Sequence, residues 1–251
     1  MDINRIFTIR ESGHRIHNPF TPNQLALLGQ VLRLEPGATA LDLGSGSGEM
    51  LCTWARDHAL TGTGVDLCAM FTEQARARAV ELGVADRVRF VHADAAGYVT
   101  PDAEGPVDLA ACVGATWIGD GVPGTVELLA QSLRPGGIML IGEPYWRQMP
   151  PDQITVEECE AAGPDDFLIL PELLEQFGGL GYDVVEMVLA NQDSWDRYQA
   201  AQWLTMRTWL DAHPDDDMAG QVRAELTAEP ARYARSTRQY VGWGVFALRA
   251  R

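Results

Sequence analysis

Residues 40–49 read Ala-Leu-Asp-Leu-Gly-Ser-Gly-Ser-Gly-Glu, a short apolar run followed by three glycines at alternate positions. The apolar run predicts a buried strand, and the apolar residues after Glu49 have helical spacing. Glycine has no Cβ and tolerates positive φ, so such a loop lets the backbone come close to a ligand. A dinucleotide-binding fingerprint starting at Gly44 would need glycine at position 49, which is glutamate here. The glycine register therefore disfavours an oxidoreductase that uses a nicotinamide cofactor.

The composition is that of an ordinary globular protein, with 251 residues of which 46% are hydrophobic and 22% charged. No apolar run reaches the roughly 18 residues of a membrane span. Residues 1–10 contain no apolar segment typical of a signal peptide. The cysteines are scattered, with no C-x-x-C motif and no histidine at metal-ligand spacing: Cys52, Cys68, Cys112 and Cys159. We expect reduced thiols, no metal, no membrane partner and a cytoplasmic location.

The charge of the chain limits its chemistry and its partners. The net charge is −16, and all 19 basic side chains are arginine because the sequence contains no lysine. Catalysis by a lysine Schiff base or a lysine base is therefore excluded. A nucleic-acid substrate normally requires a basic surface that neutralises phosphates. We therefore expect no nucleic-acid partner.

Strands alternate with helices over most of the sequence, which predicts a parallel sheet covered by helices on both faces. The first clear helix is expected at Thr21, a favourable cap, with Pro22 in the first helical position. Residues 1–20 show no strong periodicity, and no clear helix is expected between residues 142 and 170. The predicted strands are 39–43, 61–65, 88–92, 107–113, 138–141, 183–189 and 241–248. Predicted helices include 69–82, 126–133 and 171–177, with one starting at Glu49 and another at Asp215.

Four motifs follow one another along the chain: LDLGSGSG at 41–48, GVDL at 64–67, VRFVHADAA at 88–96 and LRPGG at 133–137. In this order they resemble the class I S-adenosylmethionine-dependent methyltransferases, most of all the small-molecule branch related to ubiquinone and menaquinone methyltransferases. The resemblance covers residues 39–143. It implies an α/β, Rossmann-like fold with a seven-stranded, mostly parallel sheet, helices on both faces and a helical cap. It also implies S-adenosyl-L-methionine as the cofactor.

The resemblance assigns the methionine and ribose parts of the cofactor to the first two strands. Asp42 and the backbone around Gly44 and Gly46 would hold the methionine part. Asp66 would accept hydrogen bonds from the ribose hydroxyls, and Leu67 would lie against the adenine face. The position of Asp66 after the glycine loop is close to the spacing of about 20 residues found in nucleotide-binding α/β units. The alternative role for Asp66 is that of a helix cap.

The resemblance assigns the adenine edge to the residues that follow the third strand. Asp94 would accept the adenine amino group, and the Ala95 N–H would meet a ring nitrogen. Asp94 could instead be an N-cap. The complete set of predicted cofactor-binding residues is Asp42, Gly44, Ser45, Gly46, Asp66, Leu67, Asp94, Ala95, Cys112 and Gly114.

Candidates for catalysis and for acceptor binding lie outside these motifs. The candidate general bases are His17, His14, Glu143 and Tyr145, needed only where the acceptor keeps its proton at neutral pH. The predicted substrate-binding residues are Phe20, Trp117, Glu143, Tyr145, Trp146, Trp195 and Tyr198. A packing role is the alternative for each of these aromatic residues. Within one domain spanning 1–251, we expect segments 1–20, 144–170 and 192–238 to form a cap over the transferable methyl group.

The predicted function is S-adenosylmethionine-dependent methyl transfer by in-line displacement to an oxygen, nitrogen, sulfur or carbon atom of a small molecule. One alternative is a nucleic-acid methyltransferase, which the acidic charge and the absence of an Asn/Asp-Pro-Pro-Tyr motif disfavour. Another is a protein that binds the cofactor without catalysis. The expected partner is a small-molecule methyl acceptor, and the expected state is a monomer or homodimer.

Overall fold

The computed structural model describes residues 3–251, with side chains described from Arg5 onward. Two short 3-10 helices, Thr116–Gly119 and Pro164–Asp166, and a π-helical turn, Tyr233–Thr237, accompany the main elements. In chain order the helices and strands are α1 (Ile3–Glu11), α2 (Pro22–Val31), β1 (Thr39–Leu43), α3 (Glu49–His58), β2 (Thr61–Asp66), α4 (Ala69–Glu81), β3 (Val88–His92), β4 (Val107–Val113), α5 (Val122–Ala130), β5 (Leu133–Trp146), α6 (Gln153–Glu158), α7 (Leu170–Gly179), β6 (Tyr182–Leu189), α8 (Gln192–Ala212), α9 (Ala219–Arg232), α10 (Arg238–Tyr240) and β7 (Val241–Ala250).

The chain divides into two compact units, each made of three segments. The larger unit contains residues 21–144, 171–189 and 243–251. The smaller unit contains the described residues up to Phe20 together with 145–170 and 190–242. Its segments nearly coincide with the predicted cap segments, of which residues 1 and 2 lie outside the described residues. That these segments cover the methyl group stays a prediction.

The sheet has seven strands in the order β3-β2-β1-β4-β5-β7-β6. The pairs β1–β2, β1–β4, β2–β3 and β4–β5 are parallel, whereas β6 and β7 are antiparallel. The strand order reverses between β1 and β4, so the loops after these neighbouring strands diverge and leave a crevice. Ligands of open α/β sheets bind at such a switch point, beyond the carboxyl ends of the strands. The predicted mostly parallel, Rossmann-like sheet is confirmed.

Local chemistry explains why the first elements of the larger unit form where they do. The Thr21 side chain accepts the Gln24 N–H, and the Gln24 side chain accepts the Thr21 N–H, which completes a capping box at α2. Behind α2, the Trp54 indole of α3 is fully buried and donates to the Leu25 carbonyl oxygen at 3.2 Å. These contacts fix the helices that cover β1.

Three boundaries of helices and strands differ from the predictions. Strand β5 extends from Leu133 to Trp146 rather than 138–141, because Leu133 pairs with Val107 at one end and Trp146 pairs with Ile169 at the other. Helix α5 begins at Val122 rather than 126, directly after Gly121, whose φ of 103° breaks the preceding chain direction. Helix α9 begins at Ala219, since Asp216 accepts the Met218 N–H and so closes a turn before the helix.

Two helices were not expected from the sequence. Helix α1 lies in the segment without periodicity, and Ile9 of this helix packs in a cluster with Met206, Leu210, Met218 and Val222. Helix α6 lies in the region where no clear helix was expected, and Asp152 caps it by accepting the Thr155 N–H at 2.8 Å. Both belong to the smaller unit. Throughout residues 3–251, no helix combines the length and apolar character needed to cross a membrane.

Candidate active site

The glycine loop between β1 and α3 has a backbone conformation that requires glycine. Gly44, Gly46 and Gly48 have φ values of 74°, 52° and 71°. A Cβ on Gly44 would lie 2.7 Å from the Ala115 Cβ, so the loop also lacks room for a side chain there. The N–H groups of Gly44 and Ser45 both donate to the Val65 carbonyl oxygen, at 2.8 and 3.0 Å. The loop is thereby fixed at the carboxyl ends of β1 and β2.

Asp42, the residue before the last of β1, is a buried acid with one side-chain oxygen that has no hydrogen-bond partner among the described residues. It is 3% exposed, and that oxygen is Oδ1. Burial, helped by the nearby Asp66 carboxyl, raises the pKa of Asp42 to about 7. Buried polar atoms in folded proteins are normally paired. A ligand with an amino group would supply the missing donor and the positive charge, so Asp42 fits the methionine part of the predicted cofactor.

Asp66 ends β2 and lies against the glycine loop. Its two oxygens accept the Gly46 N–H and the Cys68 N–H, each at 2.8 Å. Burial raises its pKa, and these two hydrogen bonds oppose the shift. Each carboxylate oxygen has a second lone pair, so Asp66 can accept two hydroxyl groups in addition. The N-cap of α4 is Cys68, which leaves Asp66 free of the alternative capping role.

Leu67, Asp94 and Ala95, the residues predicted to bind the adenine ring, have the apolar surface and the hydrogen-bonding groups that such a ring requires. The Leu67 side chain is 58% exposed, and apolar surface of this size next to a polar site suits a flat ring. Ala95 is buried, and its N–H makes no hydrogen bond within the described part of the chain. The exposed Asp94 accepts the Ala96 N–H at 2.9 Å, and no helix follows it, so it is not an N-cap. One Asp94 oxygen is therefore held in place while the carboxylate keeps further acceptor capacity.

Glu143, near the end of β5, is the one predicted catalytic residue in the larger unit. Its Oε2 accepts a hydrogen bond from the Thr116 hydroxyl at 2.7 Å. The Thr125 hydroxyl in turn donates to the Thr116 carbonyl oxygen at 2.8 Å. Within residues 5–251, Thr116 is the one hydrogen-bond partner of Glu143, and no arginine pairs with it. Burial raises the pKa of Glu143 to about 7, against the effect of the Thr116 hydrogen bond.

Cys112 lies in β4 within electrostatic reach of both acids. It is fully buried, and burial raises its thiol pKa, with further increases from Asp42 and Glu143. The thiol therefore stays protonated at neutral pH and is a poor nucleophile. Next in the chain after β4, the Gly114 N–H donates to the Gly142 carbonyl oxygen at 2.9 Å. The predicted cofactor contacts of Cys112 and Gly114 stay predictions.

Thr116 is a residue of this site that the sequence did not predict. It begins the 3-10 helix after β4, and it is brought to Glu143 because Val113 and Gly142 are paired in the sheet. Its neighbour Trp117 was predicted to bind substrate and is 67% exposed. Polar residues directly after a central parallel strand are the signal that could have identified Thr116.

The two predicted histidines belong to the smaller unit, near an unexpected buried acid. Glu11 is fully buried, and burial raises its pKa. The Tyr198 hydroxyl donates to Glu11 Oε1 at 2.8 Å and lies 3.2 Å from the His17 carbonyl oxygen. The His14 Nδ1 lies 3.5 Å from Glu11 Oε2. Burial lowers the pKa of His17 to about 4, so its imidazole is neutral at pH 7, and its catalytic role stays a prediction.

The predicted aromatic residues of the smaller unit are mostly buried. Trp146 is fully buried, donates to the Pro164 carbonyl oxygen at 2.7 Å and packs against Phe167. Tyr145 is buried, and burial raises its pKa. The Trp195 ring packs edge-on against Tyr198. Phe20 is also buried. These contacts fit packing roles, and the contacts of these residues with substrate stay predictions.

Comparisons with known proteins establish the family. A family model described as a methyltransferase domain matches residues 40–137. The uncharacterized protein YjhP of Escherichia coli K12 is 64% identical over 251 residues, 100% of both chains. A crystal structure of an S-adenosylmethionine-dependent methyltransferase from Geobacter sulfurreducens is 68% identical, with a TM-score of 0.97, and covers 100% of this chain and 99% of its own. The chain is a class I S-adenosylmethionine-dependent methyltransferase.

A second solved methyltransferase extends this comparison over the whole chain. The Thiobacillus denitrificans protein is 66% identical, with a TM-score of 0.96, and both chains are covered completely. It and the Geobacter protein were each crystallised in complex with S-adenosyl-L-homocysteine. The predicted family, enzyme class and cofactor of this methyltransferase are confirmed. The unpartnered Asp42 oxygen and the positive φ values of the glycine loop are features of this chain that suit that cofactor.

Proposed function

We propose that this methyltransferase methylates a small molecule at the carboxyl edge of the sheet in its larger unit. The observation that carries the proposal is the arrangement of two acids on either side of β4, the buried Asp42 of β1 and the partly buried Glu143 of β5. Asp42 lacks a donor for Oδ1, and Glu143 lacks a basic partner among the described residues. One acid therefore suits the cofactor and the other suits the acceptor.

In this proposal the cofactor is held by residues of β1, β2 and the loop after β3. Asp42 accepts the ammonium group of its methionine part, and Asp66 accepts the ribose hydroxyls. Leu67 contacts the adenine ring, and Asp94 and the Ala95 N–H bind its edge. Bound S-adenosylmethionine supplies a methyl group on a positively charged sulfur, which a nucleophile displaces in line. The protein contributes orientation and exclusion of water, which supply much of the rate enhancement for an activated donor.

Glu143 is the proposed proton acceptor for the nucleophile. An ideal catalytic base has a pKa near the working pH, and burial places that of Glu143 at about 7. The Thr116 hydroxyl holds one carboxyl oxygen, so the other can face the acceptor. A macromolecular nucleic-acid acceptor is disfavoured by the net charge of −16. A cytoplasmic location and a monomeric or homodimeric state stay predictions from the sequence.

Calorimetric titration with S-adenosyl-L-homocysteine tests the cofactor site. The Asp42→Asn and Asp66→Ala variants should each bind it at least about 10-fold more weakly, because each loses a charge-assisted hydrogen bond. The matched control is Asp86→Asn, which neutralises an exposed acid of the same unit. Unchanged affinity in both site variants would place the cofactor elsewhere.

Transfer of a deuterated methyl group tests the size of the acceptor. The enzyme is incubated with trideuteromethyl-labelled cofactor and an Escherichia coli extract separated into small molecules, nucleic acids and proteins. We expect the label in the small-molecule fraction, detected by mass spectrometry. Label recovered in RNA or DNA would contradict the proposal despite the acidic charge.

A further inference from the structure

We propose that the methyl acceptor is a primary or secondary amine, bound as its ammonium cation between the Glu143 carboxylate and the exposed indole of Trp117. The inference rests on the proposed function and names the chemical class of its substrate. It follows from three features of the larger unit. Glu143 has no basic partner among the described residues, the surrounding negative charge disfavours anions, and the exposed Trp117 is next in the chain to Thr116, which donates a hydrogen bond to Glu143.

The first feature is the incomplete pairing of Glu143. Its Oε2 is bound by Thr116, and no donor to its Oε1 is present among residues 5–251. A carboxylate withdrawn from water is costly unless a proton or a cation compensates it. An ammonium group supplies both the charge and up to three N–H donors. A neutral hydroxyl or thiol supplies at most one donor and no charge.

The second feature is the sign of the surrounding charge. Asp42 and Glu143 both raise the pKa of the Cys112 thiol that lies between them in β4, so their fields overlap at this edge. The arginines of α4 are already engaged: Arg78 with Glu49 at 2.8 Å, and Arg76 with the Phe90 carbonyl oxygen at 2.9 Å. A carboxylate or phosphate acceptor at this edge would therefore meet like charge, and both arginines of α4 already have other partners.

The third feature is Trp117, which follows Thr116 in the 3-10 helix after β4. Its side chain is 67% exposed, whereas its neighbours Thr116 and Ile118 are buried. The face of an indole attracts cations, and tryptophan is the best aromatic residue for this interaction. Because the Thr116 hydroxyl donates to Glu143, the exposed indole belongs to the residue next to the hydrogen-bond donor of this acid. An aromatic face beside a carboxylate is suited to an organic ammonium group.

The acid–base chemistry of the step also favours an amine. Alkylammonium groups have pKa values near 10.4, whereas a hydroxyl with a pKa near that of water, about 15.7, resists a carboxylate base. Glu143, with a pKa of about 7, is therefore a far better match for an ammonium donor. Thiols and phenols have suitable acidity, but they bind as neutral molecules and so lack the ion-pair attraction to Glu143 that an ammonium group has.

The step balances in protons and charge. One N–H proton moves from the ammonium group to the Glu143 carboxylate, and the freed nitrogen lone pair forms a bond to the methyl carbon. The bond from carbon to sulfur breaks at the same time, and its electron pair stays on sulfur as a neutral thioether. The product leaves as an N-methylammonium cation, and the Glu143 carboxyl returns its proton to water.

Binding measurements on the enzyme saturated with S-adenosyl-L-homocysteine test this inference. The probes are four amines, methylamine, ethanolamine, butylamine and benzylamine, each with the alcohol or carboxylate of matched shape. At pH 7.5 we expect calorimetric binding of at least one amine, at least 10-fold tighter than its matched alcohol and carboxylate. Glu143→Gln should weaken the binding of that amine at least 10-fold, since the glutamine amide keeps the hydrogen bond from Thr116 but carries no charge. Trp117→Leu should weaken it several-fold.

The controls separate this inference from the proposed function. Glu127→Gln, which neutralises an exposed acid of α5, should bind the amine like the wild type. Glu143→Gln should keep wild-type affinity for S-adenosyl-L-homocysteine, which also shows that it is folded. Failure of the wild type to bind S-adenosyl-L-homocysteine would defeat the proposed function. Normal binding of that molecule with no amine bound, with alcohols or carboxylates preferred, or with amine affinity unaffected by Glu143→Gln would overturn the inference alone.

Discussion

Two carboxyl groups of the larger unit, those of Asp42 and Glu143, have raised pKa values because no basic partner offsets the effect of burial. Asp42 and Glu143 each have a pKa of about 7, against ordinary values of 3.8 and 4.5. Between about pH 4 and pH 7 the folded state therefore holds protons that the unfolded chain has released. Since the unfolded state then binds fewer protons, the free energy of unfolding falls as the pH rises through this window.

The Asp42→Asn variant should lose the contribution of Asp42 to the pH dependence of the free energy of unfolding. A shift of about 3 pKa units corresponds to a contribution of up to about 4 kcal/mol between pH 4 and pH 8. We expect the variant, without cofactor, to be more stable than the wild type at pH 8 and to differ from it less at pH 4. Urea denaturation at both pH values measures this, with Asp86→Asn as the control. An identical pH slope in wild type and Asp42→Asn would show that Asp42 is ionised in the folded state.

Replacing Thr116 should change the acidity of Glu143 without removing it. The Thr116 hydroxyl bonds the ionised carboxylate, so Thr116→Val should raise the Glu143 pKa further, by about one unit for a charge-assisted bond of roughly 1.5 kcal/mol. Thr116→Ser keeps the hydroxyl and should keep the pKa. Carbon-13 NMR of glutamate side-chain carboxyls, with Glu143→Gln to assign the signal, measures both. Equal pKa values in the valine and serine variants would contradict the role of this hydrogen bond.

The sequence predicts residues of the site where they belong to one local motif. Asp42 and the glycine loop are adjacent in the chain, and Asp66 follows at the next strand end, so the motif, its spacing and the resemblance to class I methyltransferases predict them together as cofactor-binding residues. The pair of Thr116 and Glu143 depends instead on the register that sets Val113 beside Gly142. No short-range pattern encodes that register, so Glu143 was a candidate without a recognised partner.

At the level of elements, the glycine loop offers a direct test of backbone strain. Gly44→Ala would place a Cβ 2.7 Å from that of Ala115 and force a side chain into positive φ. We expect a loss of roughly 2–5 kcal/mol in the free energy of unfolding, from about 1–2 for the left-handed conformation and about 1–3 for overpacking. Urea denaturation measures the loss, and affinity for S-adenosyl-L-homocysteine should fall as well.

Gly37→Ala is the matched control for Gly44→Ala. Gly37 also has positive φ, at 86°, but a Cβ there would have no atom within 4 Å. The Gly37→Ala variant should therefore lose only about 1–2 kcal/mol in the free energy of unfolding, the cost of the left-handed backbone conformation, and its cofactor affinity should be unchanged. Equal losses in the two variants would mean that the contact with Ala115 is relieved by a small shift of the loop.

The elements that sequence patterns identified are those whose formation is local. Strands β1, β3 and β4 have the predicted boundaries, because each is a short run rich in apolar residues, followed within two positions by glycine or aspartate. Helix α1 was missed because it is stabilised by distant partners: Ile9 packs with residues of α8 and α9, such as Met206 and Val222. Residues 134–137, with a proline and two glycines, are typical of a helix end, so the prediction starts β5 at residue 138, whereas the strand extends from Leu133 to Trp146.

For the molecule as a whole, the dominant electrostatic feature is an excess of negative charge. The 35 acidic side chains outnumber the 19 arginines, which gives the net charge of −16. Many arginines are in ion pairs at contact distance, such as Arg78 with Glu49 at 2.8 Å. Contacts this short lie well inside the Debye length, whereas repulsion among the surplus acids acts over longer distances. Salt therefore screens the repulsion more than the pairs.

The melting temperature should consequently rise with sodium chloride. The Debye length falls from about 30 Å at 0.01 M to about 8 Å at 0.15 M, which removes much of the long-range repulsion. A gain of about 1 kcal/mol would correspond to an increase of about 2–4 °C for a chain of this length, measurable by scanning calorimetry at pH 8. A variant with three exposed acids neutralised, Asp86→Asn, Asp102→Asn and Glu127→Gln, should melt higher at low salt and respond less to added salt. A melting temperature that falls with salt in both proteins would mean that the arginine ion pairs, rather than the surplus acids, dominate the electrostatic free energy.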